Sequence, residues 1–326
     1  MSKLLSKTEK LTDSNKFIEY WDSFITQDWR DLLHGVNNLG YTLDVSHESI
    51  SFPKSQWLVF PRSSWMMMPK PYFGCPCLDE KDSLKGVFIN LNPRCAKEQE
   101  EITDLEVIIR SQPYGIQSIY RFGGFYSRWV ASEIQQSTND AGLLWLKDHR
   151  VDWLSAVLFG QKDRIPVSRV LALEICPWHS AGWTQIEKSY ILNNSDLIFN
   201  KIIIPAIYFS VYKINPRELM SSVVICYGAD ICHLLDQLIS SGVSSIYRVN
   251  QDYLKGASTF DCSVYRISED GVGTALFFVF KRRPKTGKGV DLPPQNPKIK
   301  FHIPELRSDC SLIEMIVYYK QAYLVY

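Results

Sequence analysis

Two short polar stretches, each closing an apolar run, hold the residues of this chain best suited to chemistry. The first is Asn90-Leu91-Asn92-Pro93-Arg94, which follows Gly86-Val87-Phe88-Ile89. In an extended strand, side chains alternate, so Phe88, Asn90 and Asn92 share one face while Val87, Ile89 and Leu91 share the other. Two carboxamides on one face, stopped by proline, can floor a small polar pocket. An amide also holds a water molecule well, because it donates and accepts at once. The plainer reading is a turn, since Asn-Pro is a common turn former. The second stretch is Glu174-Ile175-Cys176-Pro177-Trp178-His179, after Val170-Leu171-Ala172-Leu173. A carboxylate near the end of an apolar strand is costly unless something pairs with it. Glu174 therefore marks either a binding pocket or a structural ion pair. His179 alone is more often a satisfied loop histidine than a catalytic one.

A third feature is cationic. Lys281-Arg282-Arg283-Pro284-Lys285-Thr286-Gly287-Lys288-Gly289 follows the apolar run 275–280 and contains five basic residues and no acid. A glycine-containing basic loop can lie along phosphates, where counterion release gives affinity that does not depend on sequence. A merely solvated loop is the alternative. The glycine-lysine spacing of a nucleotide-binding P-loop is absent. Cys75-Pro76-Cys77 and the Cys176/His179 pair lack the spacing of a zinc site or a zinc deaminase, so neither metal nor cofactor is expected.

The elements that position these residues follow from pattern. Four apolar runs end in turn chemistry: 86–91, 170–176, 223–227 and 274–280. Helical patterns fall between them at 125–136, 142–159, 197–212 and 229–240. Alternating strands and helices imply an α/β fold with a central, mostly parallel four-stranded sheet flanked by helices. Ligands of such sheets sit outside the carboxyl ends of the strands, where the polar residues above fall. Ahead of this, 16–34 has helical spacing after a cap at Asp13-Ser14, and 52–77 is rich in proline and aromatic residues. Residues 1–80 thus read as an N-terminal extension packed on an α/β domain over 81–326. With 326 residues and 45% hydrophobic content the chain can bury a sizeable core, and a net charge of +1 confines any basic site to a local patch. Nine tryptophans exceed what a core usually needs and suit stacking on bases or sugars. The eight cysteines are scattered through apolar runs, as reduced buried thiols are. No secretory segment and no apolar stretch of about 20 residues is found. The expectation is a soluble, cytoplasmic protein.

Taken in order, the strand ends resemble those of the uracil-DNA glycosylase superfamily. Asn90-Leu91-Asn92-Pro93-Arg94 looks like the Asn-Pro version of its first motif, and Cys176-Pro177 matches the Cys-Pro step of its second. The strand 223–228 closed by glycine and the loop after the last strand fall where later family elements do. The resemblance implies a glycosylase-like fold, DNA as partner, no membrane and no obligatory protein partner. It places Asn92 where the attacking water is held, and Glu174 where an asparagine reads the flipped base. Arg283-Pro284-Lys285 falls in the minor-groove loop. It also implies that an aromatic ring stacks on the base, with Phe122 and Phe125 as candidates beside the paired glycines 123 and 124. The chain departs from the pattern where Asn90 and Arg94 replace glycines, where Glu174 replaces asparagine, and where the last loop lacks histidine.

The change at Glu174 has a physical consequence. An ionised carboxylate only accepts, so it disfavours the O4 of uracil and suits the N4 amine of cytosine. Since ordinary cytosine must be spared, the expected substrate is a modified cytosine, such as the hypermodified base of phage DNA, as in antiphage proteins resembling this superfamily. Asn90, Glu174, Phe122, Phe125 and His179 form the expected base pocket, Asn92 the catalytic position, and Lys281, Arg282, Arg283, Lys285 and Lys288 the DNA contact. The alternatives are a uracil-removing glycosylase, a non-catalytic sensor of modified bases, and an enzyme acting on free nucleosides.

Overall fold

The computed structural model describes residues 9–23, 50–51, 58–59, 72–74, 76, 83–91, 147–166, 169–176, 191–250, 254–255, 260–282, 300–303 and 308–324. In chain order the elements begin with α1 (Ser14–Ser23), β1 (Ile50–Ser51), β2 (Leu58–Val59), β3 (Tyr72–Phe73) and β4 (Gly86–Asn90). A π-helical turn over Lys147–Val151 leads into α2 (Asp152–Phe159), followed by β5 (Val170–Glu174). One helical run contains α3 (Ser195–Ile198), a second π turn (Phe199–Ile203) and α4 (Ile204–Tyr212); β6 (Val223–Tyr227) and α5 (Ala229–Ser240) follow. Then come β7 (Ile246–Arg248), β8 (Leu254–Lys255), β9 (Phe260–Glu269) and β10 (Gly273–Arg282). The hairpin β11 (Lys300–Ile303) and β12 (Ser308–Ser311) leads into α6 (Leu312–Tyr323).

Two compact units divide the chain. One comprises Met1–Cys77, Asn92–Gly142 and Leu173–Pro205, the other Leu78–Leu91, Leu143–Ala172 and Ala206–Tyr326. In the first unit, α1 begins where Asp13 Oδ1 accepts the main-chain N–H of Lys16 at 2.8 Å, which satisfies a donor the first helical turn leaves open. Phe17, Ile18 and Trp21 are buried, and the Phe17 ring lies 5.1 Å from that of Tyr72. Lys201 is fully buried in the same unit; its ammonium donates to the Glu9 carbonyl and sits 4.6 Å over the Tyr20 ring.

In the second unit, β6 is parallel to β4, with Val87 opposite Val224 and Ile89 opposite Cys226. On its other side β10 is also parallel, from Leu276 opposite Val223 to Phe280 opposite Tyr227. β9 returns antiparallel to β10, and β7 and β8 pair antiparallel with β9. All four strands read from the sequence exist, and they are consecutive neighbours in the order β5-β4-β6-β10. The α/β class holds. The sheet, however, is mixed and broader than the expected mostly parallel four strands. Its antiparallel part was not read: the alternation of Phe260-Asp261-Cys262-Ser263-Val264 breaks at Tyr265-Arg266, where the apolar residues change face.

Gly86 lets α2 approach β4 closely, since a Cβ there would stand 2.6 Å from the Leu154 side chain. On α6, a capping box between Ser311 and Glu314 starts the helix. Its Tyr319 ring meets Phe278 of β10 at 6.1 Å, and Lys320 donates to the Leu219 carbonyl at 2.9 Å. Burying each core Val, Leu, Ile or Phe contributes roughly 1.5–3 kcal/mol. Among the described residues, Cys226, Cys232, Cys262 and Cys310 are buried thiols outside any disulfide, as expected. Among the described residues, no helix is long and apolar enough to cross a membrane.

Candidate functional site

Parallel pairing brings the carboxyl ends of β4 and β6 level beside Phe280 of β10, which runs on two residues to Arg282. Phe280 stands opposite Tyr227, while Asn90 and Tyr227 each follow a paired residue, Ile89 and Cys226. β6 stops there because Gly228 has φ +130°, a conformation that L side chains rarely adopt. The Gly228 N–H donates to the Phe280 carbonyl at 3.0 Å, which ties the two exits together. A Cβ at 228 would stand 2.7 Å from the Leu91 side chain. The π turn and α2 deliver Arg150 and Trp153, which are three residues apart and so share a helical face.

These elements assemble one cluster. Arg150 is 3% exposed, and its Nε and Nη2 donate to Asn90 Oδ1 at 2.9 and 2.7 Å. The guanidinium carbon lies 3.8 Å from the centroid of the Tyr227 ring, a cation–π contact. That ring stacks on Phe88 at 6.3 Å, meets Trp153 edge-on at 6.2 Å, and touches Phe280 at 5.9 Å. Phe88 and Asn90 thus work on one face of β4, as the alternation predicts. Among the described residues the Tyr227 hydroxyl has no hydrogen-bond partner, and it is closed to solvent, a state that costs roughly 1–3 kcal/mol relative to a paired hydroxyl. Burial pushes its pKa well above the ordinary tyrosine value, and the Arg150 cation offsets this only in part. The hydroxyl therefore stays protonated and able to donate. A guanidinium, a carboxamide and a neutral phenol within one cluster favour ligands that bring acceptor oxygens.

Several expectations are sharpened or corrected. Asn90 stands at the strand end but is 3% exposed, so it is a carboxamide held by Arg150 rather than a bare pocket floor. Glu174 ends β5 and is 1% exposed. Lys281 and Arg282 belong to β10, opposite Asp261 and Phe260, and not to a loop. The acid-free character of 281–289 is a property of the sequence alone: pairing sets Asp261 across from Lys281, and opposite charges attract there. Asn92, Phe122, Phe125, His179, Arg283, Lys285 and Lys288 lie outside the described residues.

Sequence reasoning missed Arg150, Trp153 and Tyr227. Tyr227 left one usable sign, a polar-tipped aromatic ending an apolar strand just before glycine. Nothing marks Arg150, because its role depends on a strand sixty residues earlier in the chain. Neither family models, nor curated proteins, nor solved structures provide a match to this chain.

Proposed function

We propose that this protein is a monofunctional DNA glycosylase of the uracil-DNA glycosylase kind, which flips a modified cytosine from DNA and hydrolyses its glycosidic bond. The observation that supports it best is that parallel β4, β6 and β10 run to the same edge of the sheet, with Asn90, Tyr227 and Lys281-Arg282 at their ends. Open α/β sheets take their ligands at such ends. Asn92, two residues beyond Asn90, holds the water. Glu174 accepts from the N4 amine of the base, and Phe122 or Phe125 stacks on it. Lys281, Arg282, Arg283, Lys285 and Lys288 meet phosphates. Flipping costs a few kcal/mol of unstacking. The C1′–N1 bond then breaks with its electron pair leaving on the base. Water adds to C1′, its proton passes to the released base, and an abasic site remains without strand cleavage.

The test uses duplexes carrying uracil, cytosine, hydroxymethylcytosine or glucosylated hydroxymethylcytosine, incubated with protein and then treated with alkali. Strand breaks at the modified cytosine that vanish with Asn92→Ala are expected. Preferential cleavage at uracil would remove the Glu174 argument. Tight, base-dependent binding without alkali-labile sites would mark a sensor instead of an enzyme.

A further inference from the structure

We infer that Tyr227 is a specificity-determining residue whose hydroxyl donates a hydrogen bond to an acceptor oxygen of the bound ligand, the pyrimidine O2 under the function proposed above, on which this inference rests. The argument starts from an imbalance. Buried polar groups in folded proteins are nearly always hydrogen-bonded, and each exception asks for a reason. The Tyr227 hydroxyl is such an exception. It occurs at the carboxyl end of β6, in the middle of three parallel strands, where the fold presents its ligand site. Other parts of the same side chain are well supported: the ring has Arg150 at 3.8 Å and Phe88, Trp153 and Phe280 around it.

The surroundings select the kind of partner. Arg150 brings positive charge against the ring, and Asn90 Oδ1 is turned toward the guanidinium. A cationic neighbourhood favours a ligand atom that is electron-rich, hence an oxygen acceptor rather than an amine donor. Burial keeps the phenol protonated, so its proton is always present to give.

Tyr227→Phe tests this cleanly, because it preserves the ring and its contacts and removes one oxygen. The melting temperature should stay level or rise, since no bond of the free protein is lost. Binding to duplex with the modified base should weaken roughly tenfold, and base release should fall by a similar factor. A lower melting temperature would mean that the hydroxyl is already paired in the free protein, and would overturn the inference. So would unchanged binding and release. Wild-type protein that binds the modified base without releasing it, with Tyr227→Phe binding less tightly, sustains the inference while defeating the enzymatic reading. A wild type with neither release nor base-dependent binding defeats both.

Discussion

Two tyrosines of one sheet meet burial in opposite ways. Tyr265 lies at mid-strand on β9, and its hydroxyl donates to Asp236 Oδ1 of α5 at 2.9 Å. Around it Arg248 donates to Ser263 Oγ at 3.3 Å. Cys232 joins the same group; burial pushes its thiol pKa up while hydrogen bonds with Ser263 and Tyr265 pull it partly back. Tyr227 lies at the carboxyl end of β6, with its ring packed and its hydroxyl unpaired. Burial raises the pKa of both phenols. The Tyr265–Asp236 bond joins β9 to α5 and so binds helix to sheet. The polar groups at the strand exits are held by their stems and leave one donor uncommitted. The first arrangement belongs to folding; the second, under the inference drawn above, serves recognition.

The contrast breaks most sharply at Arg150. Arg150→Met removes both hydrogen bonds to Asn90 and the cation over Tyr227. It should lower unfolding free energy by about 3 kcal/mol in urea titrations; a loss below about 1 kcal/mol would mean that the guanidinium does not anchor the cluster. Tyr265→Phe deletes a half-buried bond to a carboxylate and should cost about 2 kcal/mol, read as an earlier denaturation midpoint with unchanged slope. Lys201, in the other unit, sharpens the comparison through pH. Burial lowers its pKa from 10.5 to about 8, with Glu9 opposing in part. The unfolded chain then binds more protons than the folded one between those values, so Lys201 makes stability increase with pH from about 8 to 10.5. Lys201→Met should flatten that rise in denaturation series at pH 7.5, 9 and 10.5; identical slopes would assign the rise to other groups. Smallest is the stability change of Tyr227→Phe, expected near zero. A drop equal to that of Tyr265→Phe would erase the distinction between the two regions.

The sequence carried the parallel part of the fold because those strands are apolar and are closed by asparagine, proline, glycine or a basic pair. The cap at Asp13 was legible for the same reason, as local chemistry with a local partner. β9 was not, since its apolar residues change face at Tyr265-Arg266, although Asp270-Gly271 marks the hairpin turn that follows it. α6 also went unread, despite its Ser311-Leu312-Ile313-Glu314 capping signature. At the site, Asn90 stood out because an amide ends an apolar run. Arg150 and Tyr227 did not, because their meaning is relational: a cation is important here only through the strand ends it reaches. Lys281 was read with its sequence neighbours, whereas pairing gives it Asp261.

The contact between Gly228 and Leu91 offers a mechanical handle. Leu91 is the link between the two carboxamide positions 90 and 92, and a methyl group at 228 would press on it from 2.7 Å. Gly228→Ala therefore acts as a wedge between two chain exits, shifting the β4 exit without deleting any donor or acceptor. An experimenter can use that substitution to detune the alignment of the strand ends while leaving their chemistry intact.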